Sequence, residues 1–166
     1  GRHYKVGNVI LRNMASPALH RSVPESPMRR TATITLHWLS LVLLMLLMAA
    51  GQVPVLAVAF GFSGLAMCAL AMLRGLMNGP GPKLEGALRT AHPWLSRAMY
   101  LALGCVAGLT LWTQFGGAWG GAPLRELYFY LLSASALHGI FHLWRHTALG
   151  DGSLRRIAPK SMHGML

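Results

Sequence analysis

Four long apolar runs constrain the fold of this chain more than any other feature of its sequence. They cover residues 31–52, 53–73, 94–115 and 124–146. A helix needs about 20 apolar residues to cross the hydrocarbon core of a bilayer, and each run is long enough. In a chain of 166 residues, these runs leave too few polar side chains to cover a soluble globule. The sequence therefore predicts an all-α fold, an integral membrane four-helix bundle.

The joint between the first two runs is short enough to fix how they pack. Residue 52 ends one run and residue 53 begins the next, and Pro54 can occupy the first turn of a helix at little cost. We therefore expect the first two helices to form a tight antiparallel hairpin.

The charge balance separates this chain from soluble basic proteins. It has 15 Lys and Arg against 4 Asp and Glu, a formal net charge of +11, yet 54% of its residues are hydrophobic. A protein that binds nucleic acid seldom reaches this apolar fraction, so we expect membrane lipid as a partner and no nucleic acid. The four acids lie far apart along the chain, which argues against catalysis by paired carboxylates.

The positions of the cations orient the predicted bundle. Six precede the first run, three lie between the second and third, and four lie at or after the end of the fourth: Arg2, Lys5, Arg12, Arg21, Arg29, Arg30, Arg74, Lys83, Arg89, Arg145, Arg155, Arg156 and Lys160. The opposite side carries Arg125, and Arg97 lies just inside the third run. Because positive residues favour the cytoplasmic side, both termini should be cytoplasmic. Residues 1–30 would be a cytoplasmic extension, 31–147 the bundle and 148–166 a cytoplasmic tail.

Histidines are the candidate functional residues, because ionisable side chains inside a bilayer are costly and usually serve a function. The candidates are His37, His92, His138, His142 and His146. The last three are spaced by four residues, which places them along one face of one helix. That face should point into the bundle, since imidazole N–H groups need a partner in lipid.

Two of these histidines lie at matching depth on different helices. His37 follows Arg30 by seven residues and His138 precedes Arg145 by seven, so each lies roughly 10 Å below the cytoplasmic surface at 1.5 Å per residue. Two imidazoles facing each other in this way can bind the iron of a planar macrocycle from both sides. His92 and His142 form a second level pair, closer to the interface and therefore a weaker candidate.

Other roles for the histidines stay open at this level. A single histidine in a membrane helix often only hydrogen-bonds to a neighbouring helix. Zinc suits the pattern less well, because no Cys, Asp or Glu accompanies the histidines at ligand spacing and three histidines on one helix face diverge along its axis.

Three segments of the chain resemble the bacterial cytochrome b561 family over about residues 30–160. They are TLHWLS in the first run, RAMYLAL in the third, and the ending LHGIFHLWRHTALGDGSLRRIAP. The ending is the most specific, with these residues in register with the pattern of the family: Leu137, His138, His146, Asp151, Leu154, Arg156 and Pro159.

The resemblance implies a four-helix membrane protein that holds haem b between histidines and exchanges electrons with quinones. His37 and His138 would bind the haem iron near the cytoplasmic face of a bacterial inner membrane. The family has histidines for a second haem where this chain has the neighbourhoods of Phe60 and Leu124. We therefore expect one haem at most, and whether the chain belongs to an oxidoreductase depends on that haem.

Two other functions remain open from the sequence. The chain could be a haem-depleted accessory subunit that packs on other membrane subunits of a respiratory or photosynthetic complex. Gly104 and Gly108 would then offer a small-residue face to a partner helix. A bacteriochlorophyll bound by single histidines is the third and least favoured reading.

Overall fold

The computed structural model describes residues 27–76, 79–81, 83–158 and 164. Within these residues the fold is helical and contains no strand. The helices are α1 (Pro27–Ala50), α2 (Pro54–Arg74), α3 (Gly86–Gln114), α4 (Leu124–Ala148) and the short α5 (Ser153–Ile157). Residues 1–26 and 159–163 lie outside the described residues, and with them most of the predicted N-terminal extension and part of the predicted tail.

Three of the helices are long and apolar enough to cross a membrane. They are α1, α2 and α3, which correspond to the first three predicted runs. The fourth run also forms a long helix, α4, but α4 is not among the helices that meet this criterion in the described part of the chain. The expectation of an all-helical chain with membrane-spanning character is therefore confirmed.

Two helices begin earlier than the apolar runs predict. Helix α1 begins at Pro27, not at residue 31, and α3 begins at Gly86, not at residue 94. The sequence boundary for α3 rested on Pro93, which lacks a backbone N–H and commonly begins a helix. In the structure α3 continues through Pro93, and the Ser96 hydroxyl donates a hydrogen bond to the His92 carbonyl oxygen at 3.1 Å.

A three-residue turn joins α1 to α2, in agreement with the predicted hairpin. Gly51 adopts a φ of +80°, a conformation that favours glycine, and its N–H donates to the Leu47 carbonyl oxygen. Pro54 stands in the first turn of α2, as expected. The two helices pack directly against each other.

Helix α2 also packs closely against α3, through small residues on both helices. A Cβ added at Gly64 would lie 2.8 Å from the Ala107 Cβ, and one added at Gly104 would lie 3.3 Å from the Cys68 Sγ. The glycines therefore let the two backbones approach. Gly104 faces α2 of the same chain, so it serves internal packing, whereas a Cβ at Gly108 would meet no atom within 4 Å.

Candidate functional site

A cavity of about 250 Å³ lies between the four long helices. Residues of α1, α2, α3 and α4 line it, and residues of α5 close one end. We call the region around His37, Tyr100 and His138 the cavity half of the molecule. Its walls are mostly apolar, which is typical of sites that bind a small organic molecule or a cofactor.

Three of the five histidines singled out in the sequence line this cavity: His37, His138 and His142. The rings of His138 and His142 meet edge to face, with centroids 4.5 Å apart. The Nδ1 atom of His138 is buried and has no hydrogen-bond partner among the described residues. This imidazole therefore keeps a ring nitrogen for a partner that the described part of the chain does not supply.

The other two histidines lie away from the cavity lining. His92 stands behind His142 with ring centroids 6.2 Å apart, is only 2% exposed, and has no hydrogen-bond partner for either ring nitrogen within the described residues. His146 lies one turn beyond His142 on α4. The structure thus brings His92 and His142 together, with His142 in the cavity lining and His92 behind it.

Hydroxyl and aromatic side chains complete the cavity lining, and the sequence reasoning did not single them out. Ser135 lies one turn before His138, and its hydroxyl donates to the Leu131 carbonyl oxygen at 2.8 Å. Tyr100 and Trp38 also line the cavity. Isolated hydroxyl residues within long apolar runs are the signal that could have found Ser135.

A buried ion pair stands at the end of α4 beside the cavity. The Arg145 Nε donates to the Asp151 Oδ2 at 2.7 Å, and the Arg145 Nη2 donates to the Pro80 carbonyl oxygen at 2.8 Å. The Asp151 Oδ1 accepts the Ser153 N–H at 2.8 Å, so the same carboxylate orders the start of α5. The side chains of Arg145 and Asp151 are 1% and 2% exposed.

The surroundings of Asp151 favour its charged form. Burial by itself raises the pKa of Asp151, but hydrogen bonds from Ser153 and Arg145, together with the Arg145 charge, more than offset it. The pKa of Asp151 therefore lies below its usual value, and the pair stays charged near neutral pH. The resemblance in the sequence included Asp151 only as a match; the structure gives it a physical role.

The opposite end of the molecule has a filled interior, which we call the packed half. Phe60 and Tyr128 meet edge to face with centroids 5.8 Å apart, and the Tyr128 hydroxyl lies 3.0 Å from the Thr110 hydroxyl. Leu47 and Leu124 are buried beside them. Phe60 belongs both to this core and to the cavity wall, so the core begins where the cavity ends.

Comparisons with family models, curated proteins and solved structures give no match for this chain. Within the described residues, no group of three or more His, Cys, Asp or Glu side chains is arranged to hold a metal ion. The cavity and its histidines are therefore the features on which a functional assignment depends.

Proposed function

We propose that this chain is a cytochrome b561-like electron-transfer protein that binds one haem b between His37 and His138. In this proposal all four long helices cross a bacterial inner membrane, with both termini in the cytoplasm. The cavity half would lie toward the cytoplasmic face, where most of the cations of the sequence fall. A quinol or quinone would be the electron partner.

The observation that carries the proposal is the shared cavity of His37 and His138. The two side chains come from different helices, α1 and α4, and line one mostly apolar space. The buried Nδ1 of His138 has no hydrogen-bond partner among the described residues, which supports a missing ligand, because buried polar atoms are nearly always hydrogen-bonded or coordinated. Two imidazoles are a donor set suited to the iron of a b-type haem.

The packed half supports a single haem in place of two. The places where the family carries histidines for a second haem are occupied by Phe60 and Leu124, which are 0% and 6% exposed. Phe60 packs on Tyr128, and Tyr128 on Thr110, so this interior is filled by side chains of the chain itself. A second macrocycle would have to displace that core.

The residues of the chain would then have separable roles. Haem, when bound, supplies one-electron redox chemistry. His37 and His138 hold it through ring nitrogens, and the apolar walls exclude water from it. Arg30 of α1 and Arg156 of α5 would be the candidates to contact its acidic edge, whereas the charge of Arg145 is already balanced by Asp151.

An absorption spectrum of the purified full chain tests the proposal. We expect a reduced-minus-oxidised spectrum of a b-type haem that is lost in His37→Ala and in His138→Ala. His146→Ala is the matched control, since it removes a histidine of α4 that does not line the cavity, and it should keep the spectrum. Addition of a short-chain quinol under anaerobic conditions should reduce the haem of the wild type.

The same experiment distinguishes the other two functions. A colourless protein that co-purifies with a larger membrane complex would replace the proposal with the accessory-subunit role. Absorption in the near infrared would replace it with a bound bacteriochlorophyll. Retention of the haem spectrum in both His37→Ala and His138→Ala would disprove the assigned ligands.

A further inference from the structure

The cavity between the four long helices is not fully enclosed, and two of the residues that line it lie at the surface of the molecule. Trp38 of α1 is 37% exposed, and Gly139 of α4 is also exposed. Each directly follows one of the two histidines, His37 and His138, that share the cavity. The cavity therefore reaches the surface beside these histidines.

Gly139 lies on the flank of α4 that is turned toward α1. Helix α4 packs against both α1 and α3. The Phe141 ring contacts the His92 ring of α3, with centroids 6.2 Å apart, so Phe141 marks the flank of α4 toward α3. Because two residues of a helix differ in direction by about 200°, Gly139 lies on the other flank.

Trp38 lies on the corresponding flank of α1. The Ser40 hydroxyl donates to the Ser63 hydroxyl of α2 at 3.1 Å, so Ser40 marks the flank of α1 toward α2. Trp38 precedes Ser40 by two residues and therefore lies on the other flank, where its indole N–H donates to the Ile157 carbonyl oxygen of α5. The opening of the cavity thus lies along the seam between α1 and α4.

The missing side chain at Gly139 keeps the α4 side of this seam open. A Cβ added at Gly139 would meet no atom of the described residues within 4 Å. Glycine weakens a helix relative to alanine, and neither a positive φ nor a close neighbour accounts for it at this position. What the glycine provides here is open space beside the cavity.

The surface around the opening is apolar. Leu143 lies one turn beyond Gly139 and is 50% exposed, and Val42 lies one turn beyond Trp38 and is 49% exposed. Helix α1 is long and apolar enough to cross a membrane, and in the proposed function α4 crosses it as well. The opening then faces the hydrocarbon core of the bilayer, so a lipid-soluble molecule is the kind of ligand that reaches it.

A hydroxyl group stands just inside the opening. Ser135 lines the cavity one turn before Gly139, on the same side of α4. Its hydroxyl donates to the Leu131 carbonyl oxygen and keeps lone pairs that can accept a hydrogen bond. The Trp38 indole forms the opposite rim. A mostly apolar site with one such polar group is suited to a flat ring that bears oxygen substituents.

We propose that the ring of a membrane quinone or quinol docks in this opening from the lipid, between Trp38 and Gly139, and that its apolar tail stays in the bilayer. An oxygen substituent of the ring bonds to the Ser135 hydroxyl. The inference takes its ligand class from the proposed function and adds the place of docking. Because Gly139 directly follows His138, the docked ring lies next to the proposed haem.

A photoreactive quinone tests this docking site. An azido-benzoquinone with a decyl tail is added to the full chain in lipid nanodiscs and irradiated, and mass spectrometry of peptides locates the modification. We expect modification within residues 33–44 and 131–142, which contain the residues of α1 and α4 that border the opening. An excess of the same quinone without the azide should prevent it.

Filling the opening should prevent docking. Gly139→Leu places a side chain in the open space and should lower the modification about tenfold, because overpacking a site is costly. Gly108→Leu of α3 is the matched control and should leave it unchanged. A Cβ at Gly108 also meets no described atom within 4 Å, and Gly108 does not line the cavity. Ser135→Ala removes one hydrogen bond to the ring and should lower the modification about 2- to 10-fold.

Three results would overturn the docking site. The first is equal modification of the wild type and Gly139→Leu. The second is an equal decrease in Gly108→Leu, and the third is modification that the excess quinone does not prevent, which would indicate contact with quinone dissolved in the lipid only. Gly139→Ala, which adds one methyl group, repeats the comparison if Gly139→Leu does not fold. The absorption spectrum of the same wild-type sample reports the haem, so the docking site and the haem assignment can fail separately.

Discussion

The two halves of this molecule use the same four helices in different ways. In the packed half, Leu47, Phe60 and Tyr128 fill the space between the helices with their own side chains. In the cavity half, His37 and His138 line a space of about 250 Å³ that the chain leaves open. The difference teaches that close packing and open space are divided along the helix axes: one half supplies the packing, and the other supplies the cavity on which the proposed haem site depends.

The ion pair between Arg145 and Asp151 should have the largest effect on stability. Asp151→Ala leaves the buried Arg145 without its counter-charge, which costs about 3–5 kcal/mol when one partner of a buried pair is removed. Reversible unfolding in mixed micelles, followed by circular dichroism, measures this. Glu126→Gln, which neutralises an exposed acid in the first turn of α4, should cost less than about 0.5 kcal/mol. Equal losses of stability in Asp151→Ala and Glu126→Gln would show that the cavity half does not depend on the ion pair between Arg145 and Asp151.

Two leucines of α1 test the comparison between the halves directly. Leu47→Ala removes a side chain that is 1% exposed in the packed half and should cost about 2–3 kcal/mol, because a void remains. Leu41→Ala, in the same helix, removes a side chain that already borders the cavity and should cost less than about 1 kcal/mol. The same unfolding experiment on the haem-free protein measures both. A loss of stability in Leu41→Ala as large as that in Leu47→Ala would contradict an open cavity half.

Two substitutions that each remove one hydroxyl group should lower the free energy of unfolding by different amounts in the two halves, and the difference should be smaller than for the leucines. Tyr128→Phe removes the buried bond between Tyr128 and Thr110 and should cost about 1 kcal/mol. Ser135→Ala removes only a local bond to the Leu131 carbonyl oxygen at the cavity wall and should cost close to zero. The order of the two losses is the test, and a reversed order would place the important polar contacts in the cavity half.

The change of the free energy of unfolding with pH should be the smallest of these effects near pH 7. The lowered pKa of Asp151 means that its ion pair contributes fully above the ordinary value of 3.8 and is lost as the pH falls through the lowered pKa. Unfolding measured from pH 7 down to pH 3 should therefore show a flat region followed by an acid-side loss. Asp151→Ala should reduce that loss. If the loss of stability at acid pH is unchanged in this variant, the loss belongs to another titratable group.

The fold was largely predictable because hydrophobicity is a local property. The first two apolar runs ended within a few residues of α1 and α2, and Pro54 marked their joint. Helix α3 begins before the third apolar run, because Pro93 is tolerated within the helix.

The sequence singled out five histidines, of which three line the cavity, and it did not predict how the cavity is enclosed. Spacing and depth pointed to His37 and His138, and the structure places both in one cavity wall. Trp38 and Ser153 carried no such signal, because their roles depend on hydrogen bonds to the Ile157 and His142 carbonyl oxygens. Contacts of this kind arise only when distant segments fold together.

By itself, the sequence determined that this chain is helical and of membrane-spanning character, and it led us to expect two pairs of histidines at equal depth. Those properties follow from side-chain type and from the fixed rise of the helix. Only the tertiary structure decided which histidines share a cavity, that Phe60 fills the opposite half, and that α5 closes the site. These features depend on how the helices turn toward one another, and that rotation is set by packing between helices.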